Sequence, residues 1–197
     1  SGIYLDVCKD RLYCDDKKDI HRLASQSAMA LIAKKLISTM APILTYTMDE
    51  LLEYSPAILK GDCVDIFDFK KVELPVIDIY SEEQFIKDSL LLEAKEKFSE
   101  IKDFLTKEKV IKSTLELAIY TNADDLLELG KVEMADWFSV SNFGDIKEQD
   151  SAEYSSFSIV AQKFIICKSR MHKCPRCWKY TAAKEETLCQ RCDEVLN

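Results

Sequence analysis

Glycine is scarce, with four residues in a chain of 197. No glycine-rich loop of the kind that cradles phosphates can be assembled from so few. Histidine is scarcer still: only His21 and His172 occur. Neither stands in an arrangement with Ser, Cys or Asp that suits nucleophilic catalysis. No apolar run approaches the roughly 20 residues needed to span a bilayer. The opening residues, Ser1-Gly-Ile-Tyr4, lack an initiator Met, a basic n-region and an apolar h-region. They read as a cut from a longer protein, with no secretory leader. These absences predict a globular, non-catalytic piece, cytoplasmic and monomeric, with no membrane partner.

Cysteine is present in an informative pattern. Of eight cysteines, Cys8, Cys14, Cys63 and Cys167 are scattered, and scattered buried thiols behave as small hydrophobes in a reducing compartment. The other four form Cys174-Pro-Arg-Cys177 and Cys189-Gln-Arg-Cys192, separated by eleven residues. Each C-x-x-C brings two sulfurs to one metal from a tight knuckle, and two knuckles close a tetrahedral four-cysteine zinc site with no position open to water or substrate. Two disulfides or a redox pair are the alternatives, but a thioredoxin-like pair needs one C-x-x-C at a helix start after a strand. The expected zinc is single and structural.

Charge is unevenly spread. The net charge of −8 argues against non-specific nucleic-acid binding. Yet Ala161 to Lys184 holds seven basic residues (Lys163, Lys168, Arg170, Lys173, Arg176, Lys179, Lys184) and no acidic one. Such a local basic stretch is what counts for a phosphate partner. Four thiolates on one Zn²⁺ return about two negative charges, which weakens the patch without cancelling it. Trp178 and Tyr180 are interleaved with Arg176 and Lys179, and aromatics among cations suit base stacking with phosphate contact. The alternative is that Trp178 packs over the knuckle as a mini-core. Lys9-Asp-Arg11 and Arg22 with Gln26, read alone, are a solvated helix face.

Along the chain, Ile20, Leu23, Leu31, Ile32, Leu36, Ile37 and Met40 recur at helical spacing, and Pro42 stops that helix. Thr47-Met-Asp-Glu50 reads as a capping box opening a short helix. A helical bundle with a connector over 56–80 thus occupies 1–80. Ser81-Glu-Glu-Gln84 opens a long helix to about Lys107. Leu115–Tyr120 is expected as a strand, 122–129 as a short helix, Trp137–Ser141 as a second strand and Ser156–Cys167 as a third. The expected class is therefore mostly α: a bundle, then a long helix with a small α/β element over 81–167, then a four-cysteine zinc finger over 168–197.

Tyr4-Leu-Asp-Val-Cys-Lys-Asp-Arg-Leu-Tyr13, Arg22 with Gln26, and Met40-Ala-Pro-Ile-Leu-Thr-Tyr-Thr-Met-Asp-Glu50 resemble the helical anticodon-binding domain of class I aminoacyl-tRNA synthetases. Within that class the chain is most similar to the C-terminal part of the bacterial-type isoleucyl enzymes. Lys109–Tyr120 resembles the family's helix-to-strand junction, with Lys112 and Ser113 where glycine is usual. Lys173-Cys-Pro-Arg-Cys-Trp-Lys-Tyr180 with Leu188-Cys-Gln-Arg-Cys192 resembles its C-terminal finger, a type also seen in formamidopyrimidine-DNA glycosylases, here with a short middle.

The resemblance implies recognition of the anticodon stem-loop of isoleucine tRNA, with the acceptor end presented to upstream catalytic and editing domains that use ATP and Mg. By position it implies that Arg176, Trp178 and Lys179 meet the anticodon loop, that Lys9, Arg11 and Arg22 face the stem, and that Lys173 also binds the tRNA. The rivals are a finger module of a DNA-repair enzyme and a purely structural zinc clip. The first would need a catalytic N-terminal Pro or Lys domain where this chain has helices.

Overall fold

The computed structural model describes residues 2–61, 63, 65, 66, 81–149 and 151–197. The chain forms two compact units, residues 16–79 and residues 1–15 with 80–197. The expected 1–80 bundle therefore divides: α1 (Gly2–Cys14) groups with the C-terminal residues. The physical reason is a set of charges on α1 whose partners lie far along the chain, described below. No helix among the described residues is long and apolar enough to cross a membrane.

The first of these units is helical. Asp19 starts α2 (Ile20–Met40) by accepting from the backbone N–H groups of His21 and Arg22, and Ala41 ends it ahead of Pro42, where a missing N–H forbids continuation. Its buried face runs through Ala30, Ala33, Ile37 and Met40 toward Met48, Leu59 and Ile66. The larger Leu23, Leu31, Ile32 and Leu36 are exposed. Small residues at helical spacing give the face on which α3 (Thr45–Glu53) and α4 (Ala57–Lys60) pack. The box at Thr47 does not open α3. That helix begins two residues earlier, because Met48 N–H already bonds Leu44 O and Thr45 Oγ1 returns to Ala41 O. Residues 67–80 of the expected connector lie outside the described residues.

The second unit is built on α5 (Glu82–Lys107), which Ser81 caps as expected by accepting from Gln84 N–H. It ends with Lys109 at φ 57, Val110 N–H on Leu105 O and Lys109 N–H on Thr106 O, the 6→1 and 5→2 bonds of a Schellman motif. A capping box joining Ser113 and Glu116 then aims the chain into β1 (Leu117–Thr121).

Two strand expectations are corrected. Trp137 and Phe138 end α7 (Lys131–Phe138), which follows α6 (Asp124–Glu128), and the strand comes later as β2 (Asn142–Asp145). Met134, Ala135 and Phe138 are buried at helical spacing, and that burial outweighs the local alternation of Trp-Phe-Ser-Val. The single strand over 156–167 is instead a hairpin of β3 (Glu153–Ile159) and β4 (Gln162–Lys168), which folds back after Val160 at φ 54.

The sheet has the order β2-β1-β4-β3. β1 is parallel to β2 and antiparallel to β4. A parallel pair needs a long crossover, which α6 and α7 provide. Leu91, Phe98 and Leu105 of α5 fill the core with Ile119, Phe138, Phe143 and Ile166. Phe138 meets Phe98 edge-on at 5.6 Å and stacks on Phe143 at 5.8 Å. Phe138→Ala is therefore expected to cost about 3–5 kcal/mol, measured as a lower denaturation midpoint in urea.

Candidate metal centre

The finger begins with a short two-stranded ladder, β5 (His172–Lys173) with β6 (Tyr180–Ala182). The first knuckle hangs between them. Cys174 N–H bonds Lys179 O at 2.8 Å, and Trp178 N–H bonds Cys174 O at 2.9 Å. The second knuckle ends on α8 (Gln190–Leu196), whose cap is Cys189. This construction brings Cys174, Cys177, Cys189 and Cys192, all buried, to sulfur positions within 4.8 Å of one another.

The cluster fits a metal. Four sulfurs bonded at about 2.3 Å to one tetrahedral ion stand about 3.8 Å apart, and Cys177 Sγ lies 3.8 Å from Cys189 Sγ. All eight cysteines are free of disulfides. Burial pushes the Cys177 and Cys192 thiols up, and neighbouring cysteines reinforce this at Cys177. Burial acts the same way on Cys174, but backbone N–H groups of Cys177, Cys189 and Arg176 overcome it and bring that thiol down to about 6. Four thiolates at such separations would repel one another, and a divalent cation is the group that would compensate them. His172 is turned to Glu185, 3.8 Å from its carboxylate.

Around the cluster the cations are engaged within the protein. Arg176 donates from one Nη1 to Cys192 Sγ at 3.3 Å and to Cys14 O at 2.6 Å. Lys179, 7% exposed, places its ammonium 2.6 Å from Asp136 and 3.2 Å from Asp10. Arg11 Nε adds a bond to the second oxygen of Asp136 at 3.2 Å. Arg191 forks onto both oxygens of Asp10, at 2.5 and 3.0 Å, and reaches Asp15 at 3.1 Å. Three cations thus meet three carboxylates, drawn from α1, α7 and the finger.

The residues expected to face RNA fall into distinct environments. Trp178 is 62% exposed and has φ 66. Lys173 is exposed, with its ammonium 5.6 Å from the Trp178 ring centre. Lys9 is exposed and paired with Asp6 at 2.6 Å. Lys179, expected at the loop, is paired with Asp136 and Asp10, and Arg11, expected at the stem, is paired with Asp136. Arg22 lies in α2, in the other compact unit. Asp10, Asp15, Asp136 and Arg191 were not singled out from the sequence, and no local pattern marks them.

Burial favours the neutral Asp10, but the Arg191 bond and the Lys179 charge hold its pKa below the ordinary carboxylate value. Burial opposes the charge on Lys179, and Asp10 and Asp136 more than restore it, so its pKa is raised. The stability from Asp10 is therefore present above about pH 4 and lost as pH falls through its folded value. That from Lys179 is present below about pH 10 and lost as pH rises through its folded value. Lys179→Ala, which leaves Asp136 with Arg11 alone and Asp10 with Arg191 alone, is expected to lower stability in chemical denaturation at pH 7. The stability gap between wild type and Asp10→Asn is expected to close below about pH 4.

No family model matches the chain. Curated relatives match it along its whole length. Isoleucine–tRNA ligase of Aliarcobacter butzleri is 67% identical over 196 residues, that of Nitratiruptor sp. 51% over 197, and that of Campylobacter concisus 45% over 201. Each match covers 100% of this chain and 21% of the relative, so the chain spans about a fifth of the length of the curated relatives it matches.

Proposed function

The chain belongs to the isoleucine–tRNA ligase family, of which it is a C-terminal part, and we propose that this part recognises the anticodon stem-loop of isoleucine tRNA. Recognition here positions the acceptor end for ATP- and Mg-dependent aminoacylation by catalytic and editing domains of the full-length enzyme. The site residues of this chain bind and orient; they move no proton and form no bond.

The observation that carries this reading is the backbone of Trp178. Its φ of 66 lies in the left-handed region, where glycine is favoured and another residue costs on the order of 1–2 kcal/mol. A bulky aromatic held there and left 62% exposed gives the finger strain and wet apolar surface. Strain of this kind persists where surrounding structure fixes it, and it clusters at ligand-binding positions. The knuckle fixes it here, and the exposed ring is free to stack on an unpaired base. Its exposure speaks against the mini-core. In this reading Lys173 and Arg176 are assigned to the loop, and Lys9 and Arg22 to the stem.

The metal is assigned as one structural zinc, held by Cys174, Cys177, Cys189 and Cys192. When bound, it supplies a closed tetrahedral centre that fixes the knuckle and does no chemistry. Elemental analysis of protein purified without chelator is expected to give one zinc per chain. Cys177→Ser is expected to lose the metal and melt the tail while α2 to α4 keep their hydrogen-exchange protection.

Trp178→Ala is expected to weaken binding of isoleucine tRNA about tenfold in a filter-binding titration, with zinc content unchanged. Trp178→Gly is expected to bind as poorly while melting at or above the wild-type temperature, since it relieves the backbone. Lys173→Ala is expected to weaken all tRNAs alike and lower the salt slope by about one. Wild-type affinity in Trp178→Ala, or a loss explained by loss of zinc, would refute the stacking role.

A further inference from the structure

We propose that Cys14 is a redox-reactive thiol, which closes a disulfide with Cys177 when a hydroperoxide oxidises the finger and so removes one ligand from the metal. This rests on the assignment of a metal to the four finger cysteines and adds a fifth cysteine to that site. Cys14 ends α1, yet it is buried in one cluster with Cys174, Cys177, Cys189 and Cys192. Arg176, the chain neighbour of Cys177, bonds Cys14 O at 2.6 Å and Cys192 Sγ at 3.3 Å. The end of α1 is thus held against the first knuckle.

Access separates the five sulfurs. Cys174 and Cys192 are fully enclosed, at 0% exposure. Cys14 and Cys177, at 9% and 8%, both line a cleft of about 640 Å³ between α1 and the knuckle. Cys189 lines a second cavity, in which Cys14 has no part. A small oxidant entering the cleft therefore meets Cys14 and Cys177 first. Ligation separates them further. A metal-bound cysteine is a thiolate, the nucleophilic form of the group, whereas Cys14 stands outside the ligand set and keeps its hydrogen. In the first step the Cys177 thiolate attacks one oxygen of hydrogen peroxide. The O–O bond breaks, an S–O bond forms, and the departing hydroxide takes a proton from solvent. The sulfenic acid on Cys177 then condenses with the Cys14 thiol. An S–S bond forms, the S–O bond breaks, and the hydroxyl leaves with the Cys14 proton as water. The two sulfurs together give up two electrons, and the peroxide is reduced to two waters. Cys177 no longer offers a thiolate, so the closed site is left with three of its four ligands, and a covalent bond ties α1 to the knuckle.

The test treats the 197-residue chain, purified without chelator, with hydrogen peroxide in low molar excess. Zinc release is followed with a chromogenic chelator, and disulfides are mapped by mass spectrometry after free thiols are alkylated. Wild type is expected to lose its zinc as a peptide linking Cys14 to Cys177 appears, and a dithiol with added zinc is expected to reverse both. Cys14→Ala and Cys14→Ser are expected to lose that link and the reversibility, with Cys177 recovered as sulfinic or sulfonic acid. A wild-type map in which Cys174 is joined to Cys177, or in which Cys14 is still alkylated whether zinc is kept or lost, overturns the proposal without recourse to a variant. Cys14→Ser that releases zinc as reversibly as wild type overturns it as well. A chain holding no zinc before treatment refutes the metal assignment instead, and the same map still decides whether Cys14 and Cys177 join.

Discussion

The ammonium of Lys179, held between Asp136 and Asp10, is the point at which three segments of the chain are joined. Lys179 leaves the knuckle, Asp136 stands on α7 and Asp10 on α1. A buried cation without partners would be intolerable, and so would Asp136, whose side chain is 1% exposed. Each therefore fixes the other. Arg191 extends the same arrangement from α8 to Asp10 and Asp15. The finger is small and has little apolar core beyond its cysteines, so its position on the α/β element depends on this charge pairing.

That dependence explains how the basic stretch divides its duties. From its sequence the segment is uniformly cationic. In the fold, Lys179 serves the interior, Arg176 supports Cys192 and the end of α1, and Lys173 lies beside an exposed indole. In the proposed reading, phosphate affinity rests with cations that have not been spent on protein carboxylates. Counting basic residues along the chain overstates it.

What the sequence made legible was encoded locally. The cysteine spacing dictates two knuckles, and Ser81 with the 3.6-residue period dictates α5. The β3–β4 hairpin was hidden because it folds back at Val160-Ala161, which lacks the Gly or Asn that ordinarily marks a tight turn. Helix α7 was hidden because its last residues alternate in polarity, while its packing partner Phe98 lies elsewhere in the chain. The charge cluster was beyond local reading altogether. Its pairs are separated by 43, 125 and 181 residues, and only the folded chain brings them together. Trp178 was marked by its neighbours, but its left-handed backbone has no signature in a sequence where that position is not glycine.

The long separation between α1 and its partners also orders events in time. On a ribosome adding about 5–20 residues per second, Arg191 emerges roughly ten to forty seconds after Asp10. Asp136 and Lys179 both emerge before Arg191, so α1 is met first by α7 and the knuckle and last by α8. A chain cut short before Arg191 keeps the Lys179–Asp10 and Arg11–Asp136 pairs but loses the fork onto Asp10 and the bond to Asp15.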